Sequence, residues 1–171
     1  MTTVIFSHGQ ESGPWGAKIR SMSGHAKGLG CEVDSIDYQG IADPSDRVAK
    51  LLRECADISD SLILVGSSMG GHVATAAADA LGAAGLFVLA PAYHLQGYEG
   101  LTPPAPKMPI CIVHGWHDDI VPVENSIRFA RECSATLHLV DGDHRLTENI
   151  GEINEYLENF ITIIKQQALN T

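Results

Sequence analysis

A serine flanked by glycines follows an apolar run in this chain of 171 residues. Ser68 is the central residue of Gly66-Ser67-Ser68-Met69-Gly70, a G-x-S-x-G sequence between Leu62–Val65 and an alanine-rich stretch. This arrangement predicts a sharp strand-to-helix turn that exposes the serine hydroxyl at a helix N-terminus. Ser68 is therefore the candidate nucleophile for attack on a carbonyl carbon. Ser67 is out of register with the motif and is predicted to make only local contacts.

A serine hydroxyl needs a base within about 3 Å, and an imidazole base needs a carboxylate to orient it. Among eight histidines, only His144 lies in a loop directly after the last predicted strand and before the final helix. Asp118 follows the preceding strand, between His114-Gly115 and Val121-Pro122. This spacing favours Asp118 over Asp119 as the acid, although both remain candidates.

The first predicted strand ends in Ser7-His8-Gly9-Gln10-Glu11. A His-Gly pair at this place directs the next backbone N–H group toward a carbonyl under attack. Met69 and Gln10 are the predicted N–H donors of an oxyanion hole, with Glu11 as the alternative to Gln10. Loss of one such donor costs about 3 kcal/mol in the transition state. His8 is predicted to brace this loop through its ring, and His114 is predicted to be structural.

Three aromatic residues in loops near these positions are predicted to contact a substrate: Trp15, Tyr93 and Trp116. For Trp15, a position in the core of a helix is an equally good interpretation.

Apolar runs alternate with helix-like stretches along the chain. The predicted strands are Thr3–Ser7, Glu32–Asp37, Ser61–Val65, Gly85–Leu89, Ile110–His114 and Thr136–Val140. The predicted helices are Pro14–Leu29, Pro44–Ile58, Met69–Leu81, Val123–Glu132 and Thr147–Gln167. This alternation predicts a doubly wound α/β sheet, in which chemistry gathers beyond the carboxyl ends of the strands. The candidate nucleophile, acid and base each follow a predicted strand.

Four motifs in one order carry a resemblance to a known family: His8-Gly9, Gly66 to Gly71, His114-Gly115-x-x-Asp118-x-x-Val121-Pro122 and Asp143-His144-Arg145. Together they resemble the α/β-hydrolase superfamily and are most similar to its small, lidless bacterial members. Over essentially the whole chain, the resemblance implies a single domain (residues 1–171) with a minimal α/β-hydrolase fold. That fold is a three-layer α/β/α sandwich whose six-stranded, all-parallel sheet has the order 2-1-3-4-5-6. The first two strands and the cap domain of larger members are missing.

The same resemblance implies a serine hydrolase that cleaves small carboxylic esters or thioesters through an acyl-enzyme on Ser68, without a cofactor or a metal. The sequence does not distinguish an esterase from a thioesterase or a peptidase. A catalytically silent member of the fold that binds a protein partner is the alternative. A metal-dependent hydrolase is a further alternative, with the ligands His114, His117, Asp118 and His144, although these lack a recognised zinc spacing such as HExxH.

The composition of the chain indicates which classes of partner and which cellular compartment to expect. A net charge of −10 disfavours binding to nucleic acid or to anionic membranes. The N-terminus is predicted to be the first strand and not a signal peptide, and no apolar run reaches the roughly 18 residues of a membrane span. Four cysteines without a CxxC pair are expected to be reduced, which predicts a cytoplasmic protein. A small-molecule ester is the expected partner, and both a monomer and a homodimer remain open.

Overall fold

The computed structural model describes residues 1–170, in which strands and helices alternate along the chain. The strands are β1 (Thr2–Ser7), β2 (Glu32–Ile36), β3 (Ser61–Ser67), β4 (Gly85–Leu89), β5 (Ile110–Gly115) and β6 (Thr136–Val140). The helices are α1 (Ala17–Gly28), α2 (Pro44–Cys55), α3 (Met69–Ala78), α4 (Val123–Cys133) and α5 (Ile150–Leu169). Short 3-10 turns occupy Glu99–Leu101 and Thr147–Asn149.

The strands form one six-stranded sheet in the order β2-β1-β3-β4-β5-β6. Every pairing of neighbouring strands is parallel, so the predicted order and direction are confirmed. Because all strands of a parallel sheet point the same way, the loops after β3, β5 and β6 leave from one edge. Those loops carry Ser68, Asp118 and His144.

Side chains from alternate strand positions fill two separate apolar cores, one on each face of the sheet. Helices α1 and α5 cover the core that contains Val4, Phe6 and Val65. Helices α2, α3 and α4 cover the core that contains Ile5 and Leu64. The result is the predicted three-layer α/β/α arrangement. Between β4 and β5 lies a loop with a single 3-10 turn, and no cap domain is inserted there.

Several helix boundaries differ from the predicted ones. Helix α1 begins at Ala17 and not at Pro14, because Gly16 at its N-cap is extended, with φ −62° and ψ 165°. Helix α5 begins at Ile150, because Leu146 has a left-handed backbone and is followed by a 3-10 turn. Asp43 caps α2 as expected, since its carboxylate accepts a hydrogen bond from the backbone N–H of Ser45.

Candidate active site

Ser68 occupies the turn between β3 and α3 with φ 54° and ψ −120°. This backbone conformation costs a residue with a side chain about 1–3 kcal/mol. Gly66 and Gly70 make the turn possible. A Cβ atom on Gly66 would lie 2.7 Å from the carbonyl carbon of Gly70, and one on Gly70 would overlap the carbonyl groups of Ser7 and His8. The predicted strand-to-helix turn is therefore present, with the glycines at its points of closest backbone approach.

His144 joins Ser68 to Asp118. Its Nε2 lies 3.0 Å from Oγ of Ser68, and its Nδ1 lies 2.7 Å from Oδ2 of Asp118. Because an ionised carboxylate only accepts hydrogen bonds, Nδ1 carries the ring hydrogen and Nε2 offers a lone pair to the Ser68 hydroxyl. The structure thus brings the three predicted side chains together in the tautomer that can take a proton from serine.

The Asp118 side chain is fully buried and accepts four hydrogen bonds. Its Oδ1 accepts from the backbone N–H groups of Ile120 at 2.9 Å and Val121 at 2.8 Å. Its Oδ2 accepts from His144 and from His114. Burial alone would raise the pKa of Asp118, but hydrogen bonds from His144 and from the two N–H groups outweigh burial and hold that pKa below its usual value. The group is therefore ionised at neutral pH, and the stability it contributes is present above about pH 4 and lost at lower pH.

Asp119, the alternative acid, is exposed. Asp118, and not Asp119, is the residue whose carboxylate contacts His144. Asp143 is occupied locally, since its Oδ1 accepts from the N–H groups of Arg145 and Leu146, both at 3.0 Å.

His114 makes a contact with Asp118 that no motif in the sequence predicts. Its ring is fully buried at the end of β5, where Nε2 lies 2.9 Å from Oδ2 of Asp118 and 3.0 Å from the carbonyl oxygen of Val121. Since both partners are acceptors, Nε2 carries the hydrogen, and Nδ1 accepts from the Ser126 hydroxyl at 2.6 Å. Burial lowers the pKa of His114, so the ring is neutral and holds the carboxylate in place as a hydrogen-bond donor.

Replacing His114 with phenylalanine is expected to lower the free energy of unfolding by about 1–3 kcal/mol, because Asp118 loses a donor and Ser126 loses its acceptor in a buried environment. Urea denaturation at pH 7 measures this loss. His117→Phe is the matched control, since the His117 ring is 71% exposed. Because the folded protein keeps His114 neutral, wild type also loses stability as pH falls below about 6.5, and the His114→Phe variant lacks that part of the loss. Equal denaturation midpoints for the two variants would contradict the assigned contacts.

The loops that carry Asp118 and His144 are held against each other by backbone contacts. The N–H of Trp116 donates to the carbonyl of Val140 at 2.9 Å, and the N–H of His117 donates to Gly142 at 3.0 Å. A Cβ atom on Gly115 would lie 2.6 Å from the carbonyl carbon of Gly142. Glycine at position 115 therefore allows the close approach that sets Asp118 beside His144.

The β1–α1 loop (residues 8–16) packs against Ser68. A Cβ atom built on Gly9 would lie 3.6 Å from Cβ of Ser68. Within residues 1–170, the N–H groups of Gln10, Glu11 and Met69 donate no backbone or side-chain hydrogen bond. All three are thus free to bind an anion, and Gln10 and Glu11 both remain candidates for the second donor.

His8 braces this loop through both ring nitrogens. Its Nε2 accepts from the N–H of Tyr38 at 2.8 Å, and its Nδ1–H donates to the carbonyl of Gly9 at 2.7 Å. Burial and the nearby Arg47 charge lower the pKa of His8, against an opposite effect of the Gly9 carbonyl. The ring is neutral and serves as a brace.

One predicted substrate contact is wrong. Tyr93 is fully buried, its hydroxyl is hydrogen-bonded to Thr75, and its ring stacks on Phe129 with centroids 4.0 Å apart. The residue is a core element that a ligand cannot reach. Trp15 lies before α1 and packs half-buried against the α1/α5 core, whereas Trp116 is 53% exposed and remains a predicted substrate contact.

Among the alternative metal ligands, His114, Asp118 and His144 lie together, but their facing atoms are hydrogen-bonded to one another, and His117 lies apart from them. The His117 ring turns outward, and its Nε2 lies 2.8 Å from Oδ1 of Asp141. In the part of the chain that the structure describes, no three His, Cys, Asp or Glu side chains are arranged to hold a metal ion. All four cysteines carry free thiols.

None of the helices within residues 1–170 has both the length and the apolar composition needed to cross a bilayer.

Residues 2–168 match the family model of the alpha/beta hydrolase domain, so the chain belongs to the α/β hydrolase family. Family and fold together indicate a hydrolase. No curated protein matches the sequence significantly.

Three solved structures illustrate the likeness. A protein from Xanthomonas campestris pv. campestris, described as a hydrolase of the alpha/beta superfamily, is 28% identical with a TM-score of 0.86, over 94% of this chain and 98% of that one. Est1E from Butyrivibrio proteoclasticus, in a complex with ferulic acid, is 16% identical with a TM-score of 0.79, over 97% and 90% of the two chains. Mouse alpha/beta hydrolase domain-containing protein 10 is 22% identical with a TM-score of 0.80, over 95% and 90%. The last two likenesses show the fold alone.

Proposed function

We propose that this protein is a serine hydrolase that cleaves small carboxylic esters or thioesters. The observation that carries the proposal is the relay in which His144 lies 3.0 Å from the Ser68 hydroxyl and 2.7 Å from the Asp118 carboxylate. In this family context, such a relay is the arrangement that activates a serine for acyl transfer.

In the first half of the proposed reaction, Oγ of Ser68 attacks the carbonyl carbon of the ester while Nε2 of His144 takes the hydroxyl proton. The carbonyl oxygen becomes an oxyanion, which the N–H groups of Met69 and Gln10 bind. The tetrahedral intermediate then expels the alcohol or thiol, which receives the proton from His144, and leaves an acyl group on Ser68. The ionised Asp118 stabilises the imidazolium while it exists.

In the second half, His144 takes a proton from water, and the resulting hydroxide oxygen attacks the acyl carbon. The second tetrahedral intermediate collapses with release of the carboxylic acid, and the proton returns from His144 to Oγ of Ser68. The net reaction consumes one water molecule and regenerates the serine.

Small or exposed esters are the proposed substrates. A single loop with one 3-10 turn connects β4 to β5, so no inserted domain encloses a long acyl chain, and the exposed Trp116 indole offers an apolar surface beside the acid loop. The complex of Est1E with ferulic acid motivates a feruloyl ester as one probe. Three further proposals accompany the activity: a cytoplasmic location, which the four free thiols support, a small-molecule partner, and a monomer or homodimer in solution.

A fluorophosphonate probe tests the proposed nucleophile. The probe is expected to modify Ser68 alone in the native protein, because only an activated serine reacts quickly with it, and fragment-ion mass spectrometry distinguishes Ser68 from its neighbour Ser67. Denatured protein, in which the relay is broken, is the control and is expected to stay unlabelled. A native protein that stays unlabelled and hydrolyses no member of a panel of p-nitrophenyl acetate, an acetyl thioester, an aminoacyl p-nitroanilide and a feruloyl ester would favour the silent binding protein.

A further inference from the structure

Arg47 of α2 is a buried cation that takes no part in the relay of Ser68, His144 and Asp118. The residue is 2% exposed, and no carboxylate among residues 1–170 lies within 4.0 Å of its guanidinium. A buried charge without an ion-pair partner is costly, and it persists where hydrogen bonds satisfy its donors. The partners of Arg47 therefore indicate what the residue does.

Those partners are backbone carbonyl groups. Nη1 donates to His8 at 3.5 Å and to Gly9 at 3.2 Å, and Nη2 donates to Gln10 at 3.4 Å. Nε donates to Ile41 at 2.7 Å, which anchors the guanidinium to the loop after β2. One planar, forked group thus gathers three consecutive carbonyl groups of the β1–α1 loop on one side, a geometry that a single ammonium point charge does not match.

The direction of the carbonyl groups decides the direction of the N–H groups. In a trans peptide, C=O and the following N–H point in opposite directions. A Gly9 carbonyl held toward Arg47 therefore turns the N–H of Gln10 away from Arg47, and a Gln10 carbonyl held there does the same for the N–H of Glu11. These two N–H groups have no acceptor within residues 1–170, and the loop that carries them packs on Ser68 through Gly9.

The aromatic ring of Tyr38 stabilises the cation in this position. The Arg47 guanidinium carbon lies 5.3 Å from the centroid of that ring, within the range of a cation–π contact. The backbone N–H of Tyr38 also donates to Nε2 of His8, whose other nitrogen holds the same Gly9 carbonyl. Arg47 and His8 consequently restrain one peptide group from two directions.

We propose that Arg47 is a positioning residue. It holds the β1–α1 loop so that the free backbone N–H groups of Gln10 and Glu11 are directed at the oxyanion formed on the substrate. This inference rests on the proposed function. The positive charge at the carbonyl end of each peptide also polarises the group and strengthens its N–H as a donor. Such a residue affects the transition state and not the bound substrate, since only the transition state carries the negative oxygen.

The test measures kcat, KM and the affinity for phenylboronic acid, which forms a negatively charged tetrahedral adduct on an active serine. Arg47→Met is expected to lower kcat for p-nitrophenyl acetate by about 10- to 100-fold. This decrease does not exceed the one expected when a direct oxyanion donor is removed. KM is expected to stay within about threefold, and the affinity for the boronate to fall by a factor similar to that for kcat. Arg47→Lys, which keeps the charge but not the fork, is expected to lie between wild type and Arg47→Met.

Arg53→Met is the matched control, because Arg53 is exposed on the same helix and carries the same charge. Should Arg47→Met fail to fold, Arg47→Lys carries the test alone. A folded Arg47 variant with kcat and boronate affinity equal to those of Arg53→Met overturns the inference, as does a loss confined to KM. If the Arg47 variant is unaffected and wild type is active, only the role of Arg47 is overturned. If wild type is inactive and binds no boronate, the proposed function and this inference are overturned together.

Discussion

Replacing Ser68 with alanine is expected to lower kcat/KM for p-nitrophenyl acetate by about 10⁶-fold, the scale of loss when a serine nucleophile is removed from such a relay. The free energy of unfolding of the variant is expected to lie within about 1 kcal/mol of the wild-type value, because the missing hydroxyl makes only one half-buried hydrogen bond. Alanine also carries a Cβ atom, so the strain at φ 54° is the same in both proteins. Initial rates and urea denaturation curves measure the two quantities.

Ser67→Ala is the control for this experiment. Ser67 is the last residue of β3, one position from Ser68, and its hydroxyl takes no part in the relay. Its removal is expected to leave kcat/KM within about threefold of wild type. Unchanged turnover in Ser68→Ala, or a loss of activity in Ser67→Ala that equals it, would remove Ser68 from the proposed role.

Replacing Asp118 with asparagine is expected to lower kcat by about 10⁴-fold through the tautomer of His144. Two backbone N–H groups, from Ile120 and Val121, point at Oδ1 and cannot become acceptors, so the amide NH₂ must take the Oδ2 position. There it donates to Nδ1 of His144, which forces the ring hydrogen onto Nε2. Nε2 then faces Ser68 as a donor and cannot accept the hydroxyl proton.

Asp119→Asn removes the same charge from the adjacent, exposed position and is expected to keep kcat within about twofold. Steady-state kinetics with p-nitrophenyl acetate, together with a denaturation curve for each variant, separates a catalytic loss from unfolding. If Asp119→Asn were the inactive variant and Asp118→Asn the active one, the geometry of the relay in solution would differ from the one described.

Two of the five non-glycine residues with positive φ among residues 1–170 belong to loops of the relay. Ser68 has positive φ, and so has Leu146, the second residue after His144. Leu146 is nonetheless fully buried in the α1/α5 core, and its backbone N–H donates a hydrogen bond to the Asp143 carboxylate. Apolar packing and a local hydrogen bond thus hold the loop that carries His144 in a conformation that an isolated peptide would avoid.

A parallel, doubly wound sheet could be predicted from the sequence, because apolar runs separated by helix-length segments leave few alternatives, whereas the order of its strands was implied by the resemblance to the α/β-hydrolase superfamily. The turn at Ser68 could be predicted for a local reason. Gly66 and Gly70 stand at the points where a Cβ atom would collide with neighbouring backbone, and such a requirement is visible in residue types alone. The positions of Asp118 and His144 after successive strands followed from that topology.

Contacts between side chains that are distant in the chain depended on packing and could not be predicted. Tyr93 was expected at a substrate because aromatic residues in loops often are, yet its ring stacks on Phe129 inside the core. His114 and Arg47 look like ordinary strand and helix residues in the sequence. Their donors meet Asp118 and the β1–α1 loop only because the sheet and α2 bring them there.

The sequence by itself thus determined which residue types stand at the carboxyl edge of the sheet. The tertiary structure decided which hydrogen-bonding groups hold them, because a hydrogen bond needs its donor and acceptor close together and aligned, and the packed core sets both their separation and their direction.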